Sequence, residues 1–447
     1  MSNIPRVSKV AKITRPRKDA KSSRKNTSTR LTIDLPMPEA TNQTTVLSET
    51  DEHNPPFTPA VPTIQSGFIY SRSVGKLAYR TDIPVPQPKT GEVLLRIESA
   101  GLCHSDLHIL DGEIPCGDNY VMGHEIAGTI CSINSTPLVT MTSNVIGTDP
   151  VTATATATAV ANMEQKPKFE VGDRVAVLGT NHCTSCASCR ADSANTCPNA
   201  MMKWIGLGSD GGFQQYLLIS NPSRDLVRIP QDVSFDVAAI ATDAVLSPYH
   251  ALKMTGAKPG MKVLIIGCGG LGINAVQLAK NMELKVTVLD EKQEAREQAK
   301  KYGADFVCSN GKELESLNWS REYSQGNKVE EVHAEKDQVV QFDVCLDFVS
   351  KQETFDICQQ LIKPRGCIVA VGLASSELKI NLLSINLREV RVLGSFWGTS
   401  PELEEVFALI SKGAVTPVVA SASLEELPSY IDLLRDNKLK GRVVFHP

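Results

Sequence analysis

Gly267-Cys-Gly-Gly-Leu-Gly272 constrains this 447-residue chain more than any other segment. It follows the strand-like run Lys262-Val-Leu-Ile-Ile266 and opens a helical stretch, Ile273 to Lys280. In that setting Gly267 permits a tight turn, Gly269 and Gly270 let a pyrophosphate approach the backbone, and Gly272 allows close helix–strand packing. The helix N-terminus then offers free N–H groups to phosphate. A second run, Lys285-Val-Thr-Val-Leu289, ends at Asp290, and a charged helix follows through Lys301. A carboxylate there binds both ribose hydroxyls and repels a 2′-phosphate, which predicts NAD rather than NADP. Phe342-Asp-Val-Cys-Leu346 and Cys367-Ile-Val-Ala-Val371 continue the alternation. The pattern predicts α/β structure, a parallel sheet wrapped by helices over 231–396.

The segment before it reads differently. Short strands such as Glu92 to Ile97, broken by Gly and Pro, predict a β-rich domain over 66–230, completed by 397–447 with a last strand Arg442-Val-Val-Phe445. Within it, 132–168 is a low-complexity insertion containing a Thr/Ala alternation. Residues 1–65 are Ser/Thr/Pro-rich; Met1 to Arg30 carry ten Lys or Arg against one acid, Asp19. We expect a disordered tail there, with a mitochondrial presequence as the functional alternative to a cytoplasmic chain. The whole chain has a formal charge of −4, which argues against nucleic acid as a partner, and no apolar run long enough to span a membrane.

Four of the twelve cysteines, Cys183, Cys186, Cys189 and Cys197, form C-x2-C-x2-C-x7-C. That spacing wraps one loop around a single tetrahedral ion, and four thiolates leave no position for a substrate. A structural zinc is therefore expected. Two further motifs precede the loop, Cys103-His-Ser-Asp-Leu-His108 and Gly123-His-Glu-Ile-Ala-Gly128. Either histidine alone is more often a structural polar residue than a ligand.

Taken together, in this order and with Glu170-Val-Gly-Asp-Arg-Val175 and Asp210-Gly-Gly-Phe-Gln-Gln-Tyr216, the motifs resemble the zinc-dependent medium-chain alcohol dehydrogenases from about Gly67 to Pro447. The chain is most similar to the yeast-type, often tetrameric, members. The resemblance implies a GroES-like catalytic domain, a Rossmann NAD domain and two zinc ions per chain. It implies that Cys103 and His124 ligate the catalytic zinc, with Glu125 beside the metal and Asp106 hydrogen-bonded to the second ring nitrogen of His124. Ser105 stands where a hydroxyl takes the substrate proton, His108 where that proton passes to solvent, and His104 where the cofactor pyrophosphate is contacted. The third ligand departs from the family pattern. Aligning Thr242-Asp-Ala-Val-Leu-Ser-Pro-Tyr249 on its tyrosine puts Asp243 where relatives have cysteine. Carboxylate is an acceptable zinc donor of the same charge; the competing reading makes Asp243 a helix cap.

Zinc in such a site acidifies a bound alcohol, and NAD accepts the hydride, so the expected activity is reversible oxidation of an alcohol to an aldehyde or ketone. Leu110, Ile114 and Gly179 stand where yeast-type relatives carry large aromatics, which predicts a wider pocket and a bulkier alcohol. The expected partners are a small-molecule substrate and other copies of the chain, as a dimer or tetramer. Two other readings stay open: a zinc-free quinone or enoyl reductase of the same fold, and a nucleotide-binding protein without catalysis.

Overall fold

The computed structural model describes residues 60–73, 75–114, 116–134, 168–191, 193–317, 340–439 and 441–447. The expected tail lies outside them except for 60–65, and the insertion except for 132–134 and Lys168. At both places the ordered structure extends further than the sequence pattern suggests. Strand β1 begins at Ile64 rather than near Gly67, and pairs antiparallel with β2 (Lys76–Pro84). Its second residue, Gln65, is 3% exposed and donates to the Gln214 side chain at 3.0 Å, so burial here follows amide pairing rather than apolar content. Likewise β5 (Glu125–Ile133) runs into the predicted insertion, because it keeps pairing with β3 (Val93–Gly101) as far as Ile133.

The first β layer holds β1 (Ile64–Ser71), β2 and β4 (Tyr120–Val121). A seven-stranded sheet packs with it in the order β10-β6-β5-β3-β18-β17, with β9 also paired to β3. Its remaining members are β6 (Arg174–Val177), β9 (Tyr216–Ile219), β10 (Leu226–Arg228), β17 (Val419–Ser423) and β18 (Arg442–His446). The last strand therefore returns to the first domain: β18 lies antiparallel to β3, setting Val444 opposite Gly101. A small pair, β7 (Trp204–Ile205) and β8 (Gly208–Ser209), follows the cysteine loop.

The apolar runs of the second half form β11 (Lys262–Ile266), β12 (Lys285–Leu289), β13 (Phe306–Cys308), β14 (Phe342–Asp347), β15 (Ile362–Ala370) and β16 (Arg391–Gly394). All are parallel, in the order β13-β12-β11-β14-β15-β16. Strand order reverses beside β11, so a crevice opens at its carboxyl end, where the glycine turn lies. β11 is flanked on both sides by strands and is covered by helix Gly272–Asn281, which explains why Val263, Leu264 and Ile265 are fully buried. Residues Thr58–Pro447 make one unit. Among the described residues, no helix is long and apolar enough to cross a membrane.

Candidate functional site

Three separate segments bring ligand-type atoms together. Cys103 ends the connection from β3 and precedes helix His104–Leu110. His124 and Glu125 stand at the start of β5. Asp243 sits in a π-helical turn, Ala241–Val245, between helices Phe235–Ile240 and Leu246–Thr255. One donor atom of each of these four residues lies within 4.8 Å of the others. Cys103 Sγ is 3.3 Å and His124 Nε2 is 3.8 Å from Asp243 Oδ2. Asp243 caps no helix: Val245 holds the N-cap position of the helix that follows, and the carboxylate accepts from the Ser247 hydroxyl at 2.7 Å. The π-turn inserts one extra residue and so re-aims a side chain, a distortion recurrent at functional sites.

Asp106 braces two of these residues. One oxygen accepts the Cys103 N–H at 2.9 Å, and the other lies 3.4 Å from His124 Nδ1. Glu125 is fully buried, both its oxygens lack a hydrogen-bond partner among the described residues, and Gly101 makes its room: a Cβ there would stand 2.1 Å from Glu125 Oε2. Burial pushes the Glu125 carboxyl up to about 8 against the pull of Arg442. Burial would also raise Asp243, but His124 and Arg442 hold it well below the usual carboxylate range.

Arg442 is a member of the site that the sequence reading missed. It opens β18, is 4% exposed, and sends one guanidinium nitrogen to within 3.2 Å of Asp243 Oδ2 and 3.4 Å of Glu125 Oε1. Its Nη1 donates to the Leu102 carbonyl. A Cβ on Gly270 would stand 2.7 Å from its Nε, so one side chain joins the acidic cluster to the glycine turn. The signal available was a charged residue opening an otherwise apolar final strand.

A cysteine sulfur, an imidazole and two carboxyl groups converge on one point, each of a donor type that zinc accepts. With orphaned Glu125 oxygens aimed inward, the donor set fits zinc. The four-cysteine loop fits it too. Its Sγ···Sγ distances are 3.4 Å (Cys186–Cys189), 3.8 Å (Cys186–Cys197) and 3.9 Å (Cys183–Cys189). Four sulfurs about 2.3 Å from one ion stand about 3.8 Å apart, whereas a disulfide brings two to about 2.05 Å. Asn199 and the Cys183 N–H donate to Cys183 and Cys197 sulfur respectively, as thiolates require.

Gly267 has φ +83°, and a Cβ on Gly272 would strike the Gly267 carbonyl at 2.0 Å. Nothing stands within 4 Å of a Cβ on Gly269, which leaves the backbone open to a ligand. Asp290 follows β12, with one oxygen on the Cys268 N–H at 2.7 Å and the other on the Lys292 N–H at 2.8 Å. A cavity of about 370 Å³ opens at the carboxyl ends of β15 and β16, lined by Val371, Gly372, Gly394 and Phe396. His104 is exposed at the start of its helix. Ser105 Oγ lies 3.7 Å from Cys103 Sγ, and His108 Nδ1 lies 2.6 Å from Glu113.

One expectation fails. Gly179 does not widen the cleft, because Trp397 fills the space: a Cβ on Gly179 would meet its Cη2 at 2.5 Å. The indole is 5% exposed, stands edge-on to His124 at 5.7 Å, and donates from Nε1 to the Thr242 carbonyl at 2.8 Å. The aromatic lost from the cysteine-loop side is supplied from the segment that follows β16.

A cluster of metal-type donors beside a Rossmann glycine turn, carried on a GroES-like sheet, defines a medium-chain dehydrogenase. Family models agree: residues 89–231 match the alcohol dehydrogenase GroES-like domain and residues 270–412 the zinc-binding dehydrogenase domain. The chain belongs to the zinc-binding alcohol dehydrogenase family. An alcohol dehydrogenase of Geobacillus stearothermophilus is 32% identical over 81% of this chain and 94% of its own. An NAD-dependent alcohol dehydrogenase of Sulfurisphaera tokodaii is 28% identical over 84% and 98%. Acetophenone reductase from Geotrichum candidum, solved with NAD, is 35% identical with a TM-score of 0.70, covering 87% of this chain and 99% of its own.

Proposed function

We propose that the chain interconverts an alcohol and its aldehyde or ketone with NAD, using one catalytic and one structural zinc. The observation that carries this reading is Arg442, which places the Cys103–His124–Asp243 cluster and the Gly267–Gly272 turn one side chain apart. Cys103, His124 and Asp243 would hold the catalytic zinc, and Cys183, Cys186, Cys189 and Cys197 the structural one. When bound, zinc supplies a Lewis acid that acidifies the alcohol, and NAD the acceptor for its hydride.

The chain's own residues do the rest. Asp106 fixes Cys103 and His124 in place. Ser105 takes the hydroxyl proton, and His108, three residues on along the same helix face, hands it to solvent with Glu113 holding its Nδ1. Glu125 waits behind the cluster as a further carboxylate. Asp290 binds the adenosine ribose diol, and His104 the pyrophosphate. The structural neighbour named for acetophenone makes a ketone and its secondary alcohol the first pair to assay.

The test is NAD reduction across a panel of primary and secondary alcohols, with zinc counted by native mass spectrometry. About two zinc ions per chain are expected, and about one in Cys189→Ser, with a lowered melting temperature. A zinc-free protein, or one inert to the whole panel, overturns the proposal.

A further inference from the structure

The cysteine loop touches the catalytic cleft through one buried side chain. Asn195 lies between Cys189 and Cys197 and is 4% exposed. Its Nδ2 donates to the Phe396 carbonyl at 2.6 Å and faces His250 Nε2 at 3.3 Å. On the far side His250 Nδ1 lies 2.9 Å from Glu402. The amide N–H needs an acceptor at Nε2, so the ring proton sits on Nδ1 and is given to the carboxylate. Glu402 in turn accepts the Thr399 N–H at 2.9 Å, closing the capping box of helix Ser400–Ser411. The segment Phe396 to Thr399 is thereby held at both ends.

Ring contacts run along the same path. Trp204, in β7, packs on Phe396 with centroids 5.1 Å apart; Phe396 meets Trp397 at 5.8 Å, and Trp397 meets His124 at 5.7 Å. Trp397 has φ +53°, a left-handed conformation that a bulky residue keeps only when its surroundings impose it. The hold has two parts: the Nε1 bond to Thr242 at the tip of the ring, and the Asn195 bond at the peptide that enters it.

We propose that Asn195, with Trp204, is a positioning residue through which the cysteine loop sets the place of the Trp397 indole, and with it the size limit of the alcohol. This rests on the reading that His124 belongs to the catalytic centre. The loop then does more than stabilise: it forms the outer anchor of the aromatic wall that replaces the missing side chain at Gly179.

The test compares the unmodified holoenzyme with Asn195→Ala, Asn195→Asp and Trp204→Leu, zinc being counted in each. Asp keeps the shape of Asn and loses the donor. The readouts are kcat/KM for ethanol and for 1-phenylethanol, and the ¹⁹F resonance of Trp397 in 5-fluorotryptophan-labelled protein, assigned with Trp397→Phe. The expected result is a ratio shifted toward 1-phenylethanol by about tenfold or more, the discrimination one apolar contact supplies, with a displaced or broadened Trp397 signal. Thr196→Ala, an exposed neighbour bonded within the loop, should leave both unchanged. An unchanged ratio and an unchanged Trp397 signal in zinc-replete variants overturn the proposal. Should the Asn195 variants lose zinc, Trp204→Leu decides alone, since it lies outside the cysteine motif. If the unmodified enzyme oxidises neither ethanol nor 1-phenylethanol, the smallest and bulkiest alcohols of the panel that it does oxidise replace them; inertness to the whole panel sinks the proposed function instead, while the ¹⁹F arm still reads the hold of Asn195 on Trp397.

Discussion

Asp243 reaches the cluster because the helix carrying it is locally under-wound by a π-turn at Ala241–Val245. Its charge is stabilised there by Arg442 at 3.2 Å and the Ser247 hydroxyl at 2.7 Å. If it ligates zinc, Asp243→Ala should strip the catalytic ion and cost roughly 10³-fold or more in kcat/KM, the several kcal/mol a Lewis acid contributes. Asn keeps the outline without the charge and should bind zinc more weakly, while Cys restores an anionic donor and should keep metal and measurable turnover. Full zinc and full activity in Asp243→Asn would refute the ligand role. The second substitution of consequence is at Gly179. Its backbone is not left-handed, so the barrier to a side chain is steric contact with Trp397. Gly179→Ala should cost about 1–3 kcal/mol from overpacking, and most of that cost should vanish in a Trp397→Ala background. A double-mutant cycle of melting or denaturant midpoints checks it; additive costs would mean that the two positions do not share the space.

The glycine turn and β12 act together, because Asp290 ties the Cys268 N–H to the end of its strand. Losing the side chain therefore loosens the turn as well as removing the charge, and the two effects need different substitutions. Asp290→Asn keeps the acceptor for Cys268 but turns its amide toward the exposed Lys292 N–H, and should lower the melting temperature only slightly while raising the NADP-to-NAD ratio of kcat/KM by about tenfold. Asp290→Ala should add a loss of stability. An unmodified enzyme already as fast with NADP would end the argument. These elements could be read from sequence since their determinants are local: β11 and β12 are apolar runs closed by glycine or acid, and the cysteine spacing encloses an ion within one loop. Arg442, Asn195 and Trp397 could not be read that way. Arg442 meets a carbonyl 340 residues away and Asn195 one 201 residues away, so their roles exist only after β18 has joined β3 and the segment after β16 has met the cysteine loop. The width expected at Gly179 failed for the same reason. A deletion is visible locally, but the side chain that compensates for it comes from another part of the chain.

Among the described residues, sheet order leaves β16 at an open edge of the parallel sheet. Its one neighbour among them is β15, and its other edge carries unpaired backbone groups. The usual protections are absent from that edge: it has no proline, and the guanidinium of Arg391 turns back to the Thr255 carbonyl. Just before it, helix Leu382–Leu387 leaves Leu382, Leu383 and Leu387 66%, 70% and 77% exposed. Exposed leucines on the helix that leads into an open edge strand are costly in water and suit a self-complementary contact. A two-fold axis beside Val392 and Leu393 would pair β16 antiparallel with its copy, joining two six-stranded sheets into one. If copies of the chain associate, this edge is where they are expected to meet. Val392→Pro removes an N–H from the edge and Leu387→Glu charges the patch, and each should shift the purified protein from dimer toward monomer in light scattering coupled to size exclusion. Zinc content should stay near two per chain, because both cysteine-containing sites are built within one copy. A monomeric unmodified protein, or variants that remain dimeric, would place the contact elsewhere or nowhere.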